Sequence, residues 1–184
     1  MSEKYKVIDG TTPTFITSTI VDWVDLFIRP NYHRILDDSL NHCIKEKNLS
    51  VHAYVYMTSH IHLIATAPEN ELQNIMRDFK KFTSKKLIAE IKEIPESRRV
   101  WLLRKFNYEA QSRGRARDYK VWQDGFHPII LDTLEKVEQR IRYIHYNPVE
   151  AGIVFNERDY VNSSYRNYEE GNKIFGNVNV EPLW

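Results

Sequence analysis

Val51-His52-Ala53-Tyr54-Val55-Tyr56-Met57-Thr58-Ser59-His60-Ile61-His62-Leu63-Ile64-Ala65-Thr66 is the stretch on which the fold turns. Two runs rich in β-branched and aromatic residues flank a two-residue polar break. That pattern predicts a hairpin: a strand over Val51–Met57, a tight turn at Thr58-Ser59, and an antiparallel strand over His60–Thr66. Side chains alternate along a strand, so Ala53, Val55 and Met57 share one face, and His52, Tyr54 and Tyr56 share the other. By the same rule His60 and His62 point together, while Ile61 and Leu63 point away.

Working outward, Phe15 to Trp23 reads as a further strand. Arg29-Pro30-Asn31 punctuates the chain, with Asn31 as a helix N-cap. Ile35, Leu36, Leu40, Cys43 and Ile44 then recur at three and four, which predicts an amphipathic helix ending near Asn48. Past the hairpin, Pro68-Glu69-Asn70 opens a second helix with Leu72, Ile75, Met76, Phe79, Phe82, Leu87 and Ile91 as its apolar positions. Residues 95–120 read as irregular and basic, and Val121 to Leu131 as holding a fourth strand. Asp132-Thr133 caps a last helix whose stripe is Leu134, Val137, Ile141 and Ile144, and Asn147-Pro148 ends it, because the residue before proline avoids the helical region. Strand, helix, strand, strand, helix, strand is the split βαβ order. The expectation is an α+β, ferredoxin-like domain with an antiparallel sheet, helices on one face and an added C-terminal helix. The opposite face is then either free or covered by that late helix. The domain spans 1–154, with a basic insertion at about 95–120, and 155–184 is a tail packed on it.

Composition bounds the function. The 184 residues suit one domain, and 42% hydrophobic with 28% charged residues is the balance of a globular protein, not a disordered one. Cys43 is the only cysteine, so no intrachain disulfide forms, and a reducing compartment is expected. No run approaches the roughly 18 apolar residues of a membrane span, and the N-terminus lacks the apolar core of a signal peptide. These features predict a cytoplasmic protein with no membrane partner. Glycine is scarce, at 6 residues, and neither common phosphate-binding glycine loop occurs. The net charge of +1 hides an uneven distribution. Residues 77–120 carry 14 of the 26 Lys and Arg but 6 of the 25 Asp and Glu, a local +8 against −7 elsewhere. Such a run is either a solvated face or a polyanion contact.

Two side-chain groups could do chemistry. Two histidines two apart on a strand can grip one divalent ion, although such pairs are more often incidental. Zinc would want further nitrogen or sulfur ligands, and Cys43, on a helix, has no evident route to the pair. On the late helix Tyr143 falls about 140° from the centre of the apolar stripe, and Asn147 lies within about 40° of Tyr143. A phenol and a carboxamide therefore share a face. By position alone Tyr143 could equally be a half-buried surface aromatic.

His60-Ile61-His62 together with Tyr143-Ile144-His145-Tyr146-Asn147-Pro148-Val149-Glu150-Ala151-Gly152-Ile153-Val154 resembles the single-tyrosine HUH transposases of the IS200-like type, and most of all the REP-associated tyrosine transposases. Val121-Trp122-Gln123-Asp124-Gly125-Phe126 and Ser163-Ser164-Tyr165-Arg166-Asn167-Tyr168 are similar to further segments of that subgroup, so the likeness runs from about Phe15 to Tyr168. The chain departs from the family at Thr58-Ser59, where a Pro-Asn turn is usual, and region 95–120 has no counterpart.

The resemblance implies a ferredoxin-like fold and the cutting and rejoining of single-stranded DNA. Tyr143 would be the nucleophile, His60, His62 and Asn147 the metal ligands, and the cofactor Mg²⁺ or Mn²⁺. A phenol, with a pKa of about 10, is a weak nucleophile at neutral pH and needs such help. A 5′-phosphotyrosine keeps the bond energy, in accord with the lack of a nucleotide loop. The partner would be single-stranded DNA with hairpin or repeat ends, handled by a monomer or a homodimer. Arg113, Arg115, Arg117 and Lys120 are expected to contact the backbone. Trp122 is expected either to stack on bases or to anchor the core. Two other classes fit parts of the pattern: a non-catalytic single-strand-binding module of the same fold, and a metal-dependent hydrolase that has no need of Tyr143.

Overall fold

The computed structural model describes residues 11–112, 118–169 and 176–183. Four strands and five helices follow in order: β1 (Thr14–Thr19), α1 (Pro30–Lys47), β2 (Ser50–Tyr56), β3 (His60–Thr66), α2 (Leu72–Glu93), α3 (Arg99–Gln111), β4 (Ile129–Ile130), α4 (Leu134–Glu150) and α5 (Tyr165–Glu169). The sheet runs β2-β3-β1-β4 and every pairing is antiparallel, the expected split βαβ arrangement.

The sheet is buried on both faces, by two separate cores. On one, Leu36, Leu40 and Cys43 of α1 and Leu72, Ile75, Phe79 and Leu87 of α2 pack against Ile16, Ile61 and Leu63. On the other, Val137, Ile141 and Ile144 of α4 pack against Phe15, Ala53, Val55 and Ile64. The late helix therefore covers the face that α1 and α2 leave free. Alternation along β3 divides its residues between the two layers, and the bulge between Val51 and Ala53 resets the alternation of β2.

Several local expectations are corrected. The strand from Phe15 stops at Thr19, because Asp22 and Trp23 take left-handed φ values of 52° and 55° and form a single 3₁₀ turn. Helix α1 begins at Pro30, not after an Asn31 cap; proline suits a first turn whose N–H would have no partner anyway, and Asn31 instead donates to Glu90 at 2.6 Å. Asn48, at φ 52°, ends α1 where expected. Much of the supposedly irregular basic stretch is α3, held by Leu102, Phe106 and Ala110, a buried stripe one residue wide at four-residue spacing. The fourth strand shrinks to Ile129–Ile130 and an isolated bridge between Trp122 and Ile20, since Gly125 at φ 97° turns the chain between them. Phe82 is exposed and does not join the core stripe of α2.

Residues after α4 close the open edge of β2. Ser163 bridges Val55, Val180 bridges Val51, and Tyr160 donates its hydroxyl to the Tyr56 carbonyl at 2.6 Å. Covering an edge removes a template for unwanted strand pairing. His52 pins this cover. Its Nδ1 lies 2.8 Å from the Glu181 carbonyl and must donate to it, which leaves Nε2 to accept from the Thr66 hydroxyl at 3.0 Å.

Both bonds are satisfied by the neutral imidazole, and burial pushes the His52 pKa below its ordinary value. Between the folded and unfolded pKa values the unfolded chain binds the extra proton, so stability falls as pH drops through about 6.5. Hydrogen exchange at residues 178–182 is expected to accelerate between pH 7 and pH 5. His52→Gln, which does not titrate there, should flatten that pH dependence.

Candidate active site

β3 sets His60 and His62 on the α4 side of the sheet, and β1 lies beside them. In the β1–β3 register Thr19 faces His60 and Thr17 faces His62. Directly opposed residues of an antiparallel pair share a face, so Thr17 reaches His62, with Oγ1 2.9 Å from Nδ1. The Ser59 hydroxyl lies 3.2 Å from Nδ1 of His60. The two imidazole centroids are 4.8 Å apart.

Helix α4 brings Tyr143 to the pair. Its ring meets the His62 ring edge-on at 5.3 Å and the Phe15 ring at 5.9 Å, and Phe15 stacks on His62 at 5.2 Å. Tyr143 is 37% exposed, so the phenol is both fixed and reachable. Arg140, three residues earlier on the same helix, places its guanidinium 4.9 Å from the Phe15 ring and 5.7 Å from the Tyr143 ring. It pairs with no carboxylate among the described residues, so a fixed positive charge stands beside the phenol.

Burial keeps both histidines neutral. Desolvation lowers the His60 pKa, and desolvation followed by the charges of His60 and Arg140 pushes His62 down to about 3. Neutral imidazole is the form that ligates a cation. Nδ1 of His62 is occupied by Thr17, but its Nε2 is buried without a partner. An unsatisfied buried polar atom costs about 1–3 kcal/mol, a cost that a cation at Nε2 would remove. The Thr17–His62 bond is the kind of outer contact that orients a ligating ring. Among the described residues no three His, Cys, Asp or Glu side chains cluster, so a third protein donor has to be of another kind. Asn147, one turn after Tyr143 and 9% exposed, offers a carboxamide oxygen with no hydrogen-bond partner among the described residues. Two neutral imidazole nitrogens and an amide oxygen are a donor set for a divalent cation with no thiolate ligand.

Asn147 sits inside the helix, contrary to the expected break. α4 continues through Pro148 to Glu150, then stops in a Schellman cap: Gly152, at φ 70°, donates to the Val149 carbonyl at 2.9 Å, and Ile153 donates to Pro148 at 2.9 Å. The helix thus carries Asn147 in the same regular turn as Tyr143.

His60, His62 and Tyr143 come together as anticipated. Trp122 does not join them. It is 4% exposed in the other core layer, its indole N–H donates to Thr83 at 2.9 Å, and Phe27 and Phe79 pack on it. Its edge reaches the wall of the groove between α2 and residues 118–126, but at 4% exposure it offers a base almost no surface, so the core-anchor reading holds over the stacking one. Lys120 lines a groove of about 1000 Å³ on that same side, between α2 and residues 118–126, and pairs with Asp124 at 2.7 Å. Arg113, Arg115 and Arg117 lie outside the described residues. Sequence reasoning missed Thr17 and Arg140. The i−3 spacing of Arg140 from Tyr143 was a usable signal; the pairing of Thr17 with His62 depends on strand register and was not.

The assembly, an antiparallel sheet with a histidine pair facing a helix-borne tyrosine, has the architecture implied by the sequence resemblance. Residues 25–108, which include both histidines, match the family described as IS200-like transposase. Among solved structures the chain is similar to a REP-associated tyrosine transposase bound to a REP hairpin, with 20% identity and a TM-score of 0.65 over 93% of this chain and 87% of that one. At that identity the likeness establishes the shared fold. No curated protein matches the chain. The resemblance to the IS200-like transposases is borne out by the family match over residues 25–108 and by the shared fold. Among the described residues no helix is long and apolar enough to cross a membrane.

Gly152 is the residue on which the end of this helix depends. No atom lies within 4 Å of where a Cβ would sit, so Gly152→Ala meets no clash and costs only the left-handed backbone, about 1–2 kcal/mol. Urea denaturation should show a lower midpoint with an unchanged slope.

Proposed function

We propose that the chain cuts and rejoins single-stranded DNA through a covalent Tyr143 intermediate. The observation that carries this reading is the contact of Tyr143 with His62 at 5.3 Å while Nε2 of His62 stays buried and unpartnered. A binding module has no need of a neutral, orphaned histidine nitrogen beside a phenol, and a hydrolase has no need of the phenol.

In this reading His60, His62 and Asn147 hold a divalent cation, Mg²⁺ or Mn²⁺. When bound, it neutralises the non-bridging oxygens of the scissile phosphate. Arg140 draws the phosphodiester toward the tyrosine. The Tyr143 oxygen attacks phosphorus and loses its proton to solvent. The P–O3′ bond breaks, and the departing 3′ oxygen takes up a proton. A 5′-phosphotyrosine and a free 3′-hydroxyl result, and the hydroxyl of another strand can reverse the step with no external energy source. The family match points to a DNA partner, and the neighbour's bound hairpin suggests structured repeat ends as the substrate.

The groove on the α1–α2 side supplies a track for the DNA backbone. Arg77, Lys80, Lys81, Lys85 and Lys92 line it from α2, facing Lys120. Lys81 and Lys85 engage no partner among the described residues. The wall leads back to the histidines: Gln123 donates to the Thr19 carbonyl at 2.8 Å, and Thr19 is the register partner of His60.

Incubation with single-stranded hairpin oligonucleotides and Mn²⁺, followed by a denaturing gel, tests the reading. A protein–DNA adduct is expected from the wild type and none from Tyr143→Phe, with single-strand binding retained. Cut products with no adduct would indicate the hydrolase, and absence of cutting the binding module. Thr17→Val should weaken Mn²⁺ binding about 10- to 100-fold by freeing the His62 ring, read by titration calorimetry. Lys81→Ala with Lys85→Ala should lower the salt slope of single-strand binding by about 1.4, or roughly 0.7 for each phosphate no longer neutralised, equally for every sequence.

A further inference from the structure

We propose that Trp23 is a stacking platform for an unpaired nucleobase beside the histidine pair. The inference rests on the single-strand reading above and adds to it a residue that recognises the base rather than the phosphate.

Trp23 is 60% exposed, and among the open aromatics of this chain it is set apart by its ring standing edge-on against His60 at 5.4 Å. With His60–His62 at 4.8 Å and His62–Tyr143 at 5.3 Å, the rings form an unbroken row from an open indole to the phenol. A strand whose phosphate lies at the histidines would carry a neighbouring base to the indole.

The indole is held there at a cost. Asp22 and Trp23 are consecutive non-glycine residues in the left-handed region. Such strain persists only where the surroundings enforce it, and it concentrates at functional sites. Here the enforcement is visible: Ile20 donates to Ser59, Val21 to Val121 and Trp23 to Ile20. The Asp22 carboxylate is gripped by Lys105, and the Thr58 hydroxyl donates to Asp25 at 2.6 Å. Trp122 shows the contrasting case, buried and with its N–H bonded to Thr83. The Trp23 indole N–H has no partner among the described residues, and its ring contributes to neither core cluster. An exposed aromatic outside both cores, fixed beside the candidate scissile site, is what base stacking requires.

Binding in EDTA, where no cleavage occurs, separates stacking from charge. The probes are a thymidine oligonucleotide of about 15 residues and an abasic strand of the same length and charge. Trp23→Ala is expected to weaken binding of the thymidine strand about five- to 150-fold and to leave binding of the abasic strand unchanged. Trp23→Phe should keep most of the affinity, and Trp23→Leu should behave like the alanine variant. Trp23→Gly should lose affinity while melting at the same or a higher temperature, because glycine relieves the strained φ. Equal affinity of wild type and Trp23→Ala for the thymidine strand would overturn the proposal, and so would an equal loss on both strands. A wild-type chain that binds no single strand would overturn the single-strand reading along with it.

Discussion

The antiparallel register of β1 against β3 is the constraint on which the rest depends. It sets Thr17 against His62, Thr19 against His60 and Ile16 against Leu63. Because side chains alternate with a period of two, a slip of one residue would drive both imidazoles into the α1–α2 core and push Ile61 and Leu63 toward α4. Both faces of this sheet are buried, so both cores resist the slip. The turn at Thr58-Ser59 is held from outside as well, with Ser59 accepting from Ile20 and Thr58 accepting from Phe27. Both bonds use backbone carbonyls, so they do not depend on the side chains at the turn.

Several departures from local rules lie beside the histidines. His62 carries a desolvated ring and an orphaned nitrogen, Asp22 and Trp23 occupy left-handed backbone, and α4 runs through Pro148. Elsewhere the chain obeys the rules closely: Thr133 caps α4 through Lys136, Asn48 closes α1, and apolar stripes face their cores.

The two layers divide the work. The α4 layer carries the tyrosine, the neutral histidine pair and the charge of Arg140. The α1–α2 layer carries the basic groove, more open and partly neutralised by Asp78, Asp118 and Asp124. Residues 118–126 link the two, since Gln123 donates to the Thr19 carbonyl and Thr19 is the register partner of His60.

The hairpin, the split βαβ order and the shared face of His60 and His62 were legible in the sequence, because periodicity of two and of about 3.6 is written locally. The resemblance singled out Tyr143 and Asn147 before any geometry was known. Helix α3 was not legible, since a stripe as narrow as Leu102, Phe106 and Ala110 gains its stability from the core it meets rather than from its own pattern. Pro148 misled for the same reason: the rule for the residue before proline is a local steric preference, and burial of Asn147 and Pro148 within the folded chain outweighs it. Trp122 could be read either as a platform or as an anchor until Thr83, distant in sequence, was found to hold its N–H. Strand register and layer assignment arise between segments far apart in the chain. The environment of each candidate side chain was therefore decided only by the tertiary structure: Thr17 on His62, Arg140 over Phe15, and Trp23 held open against His60.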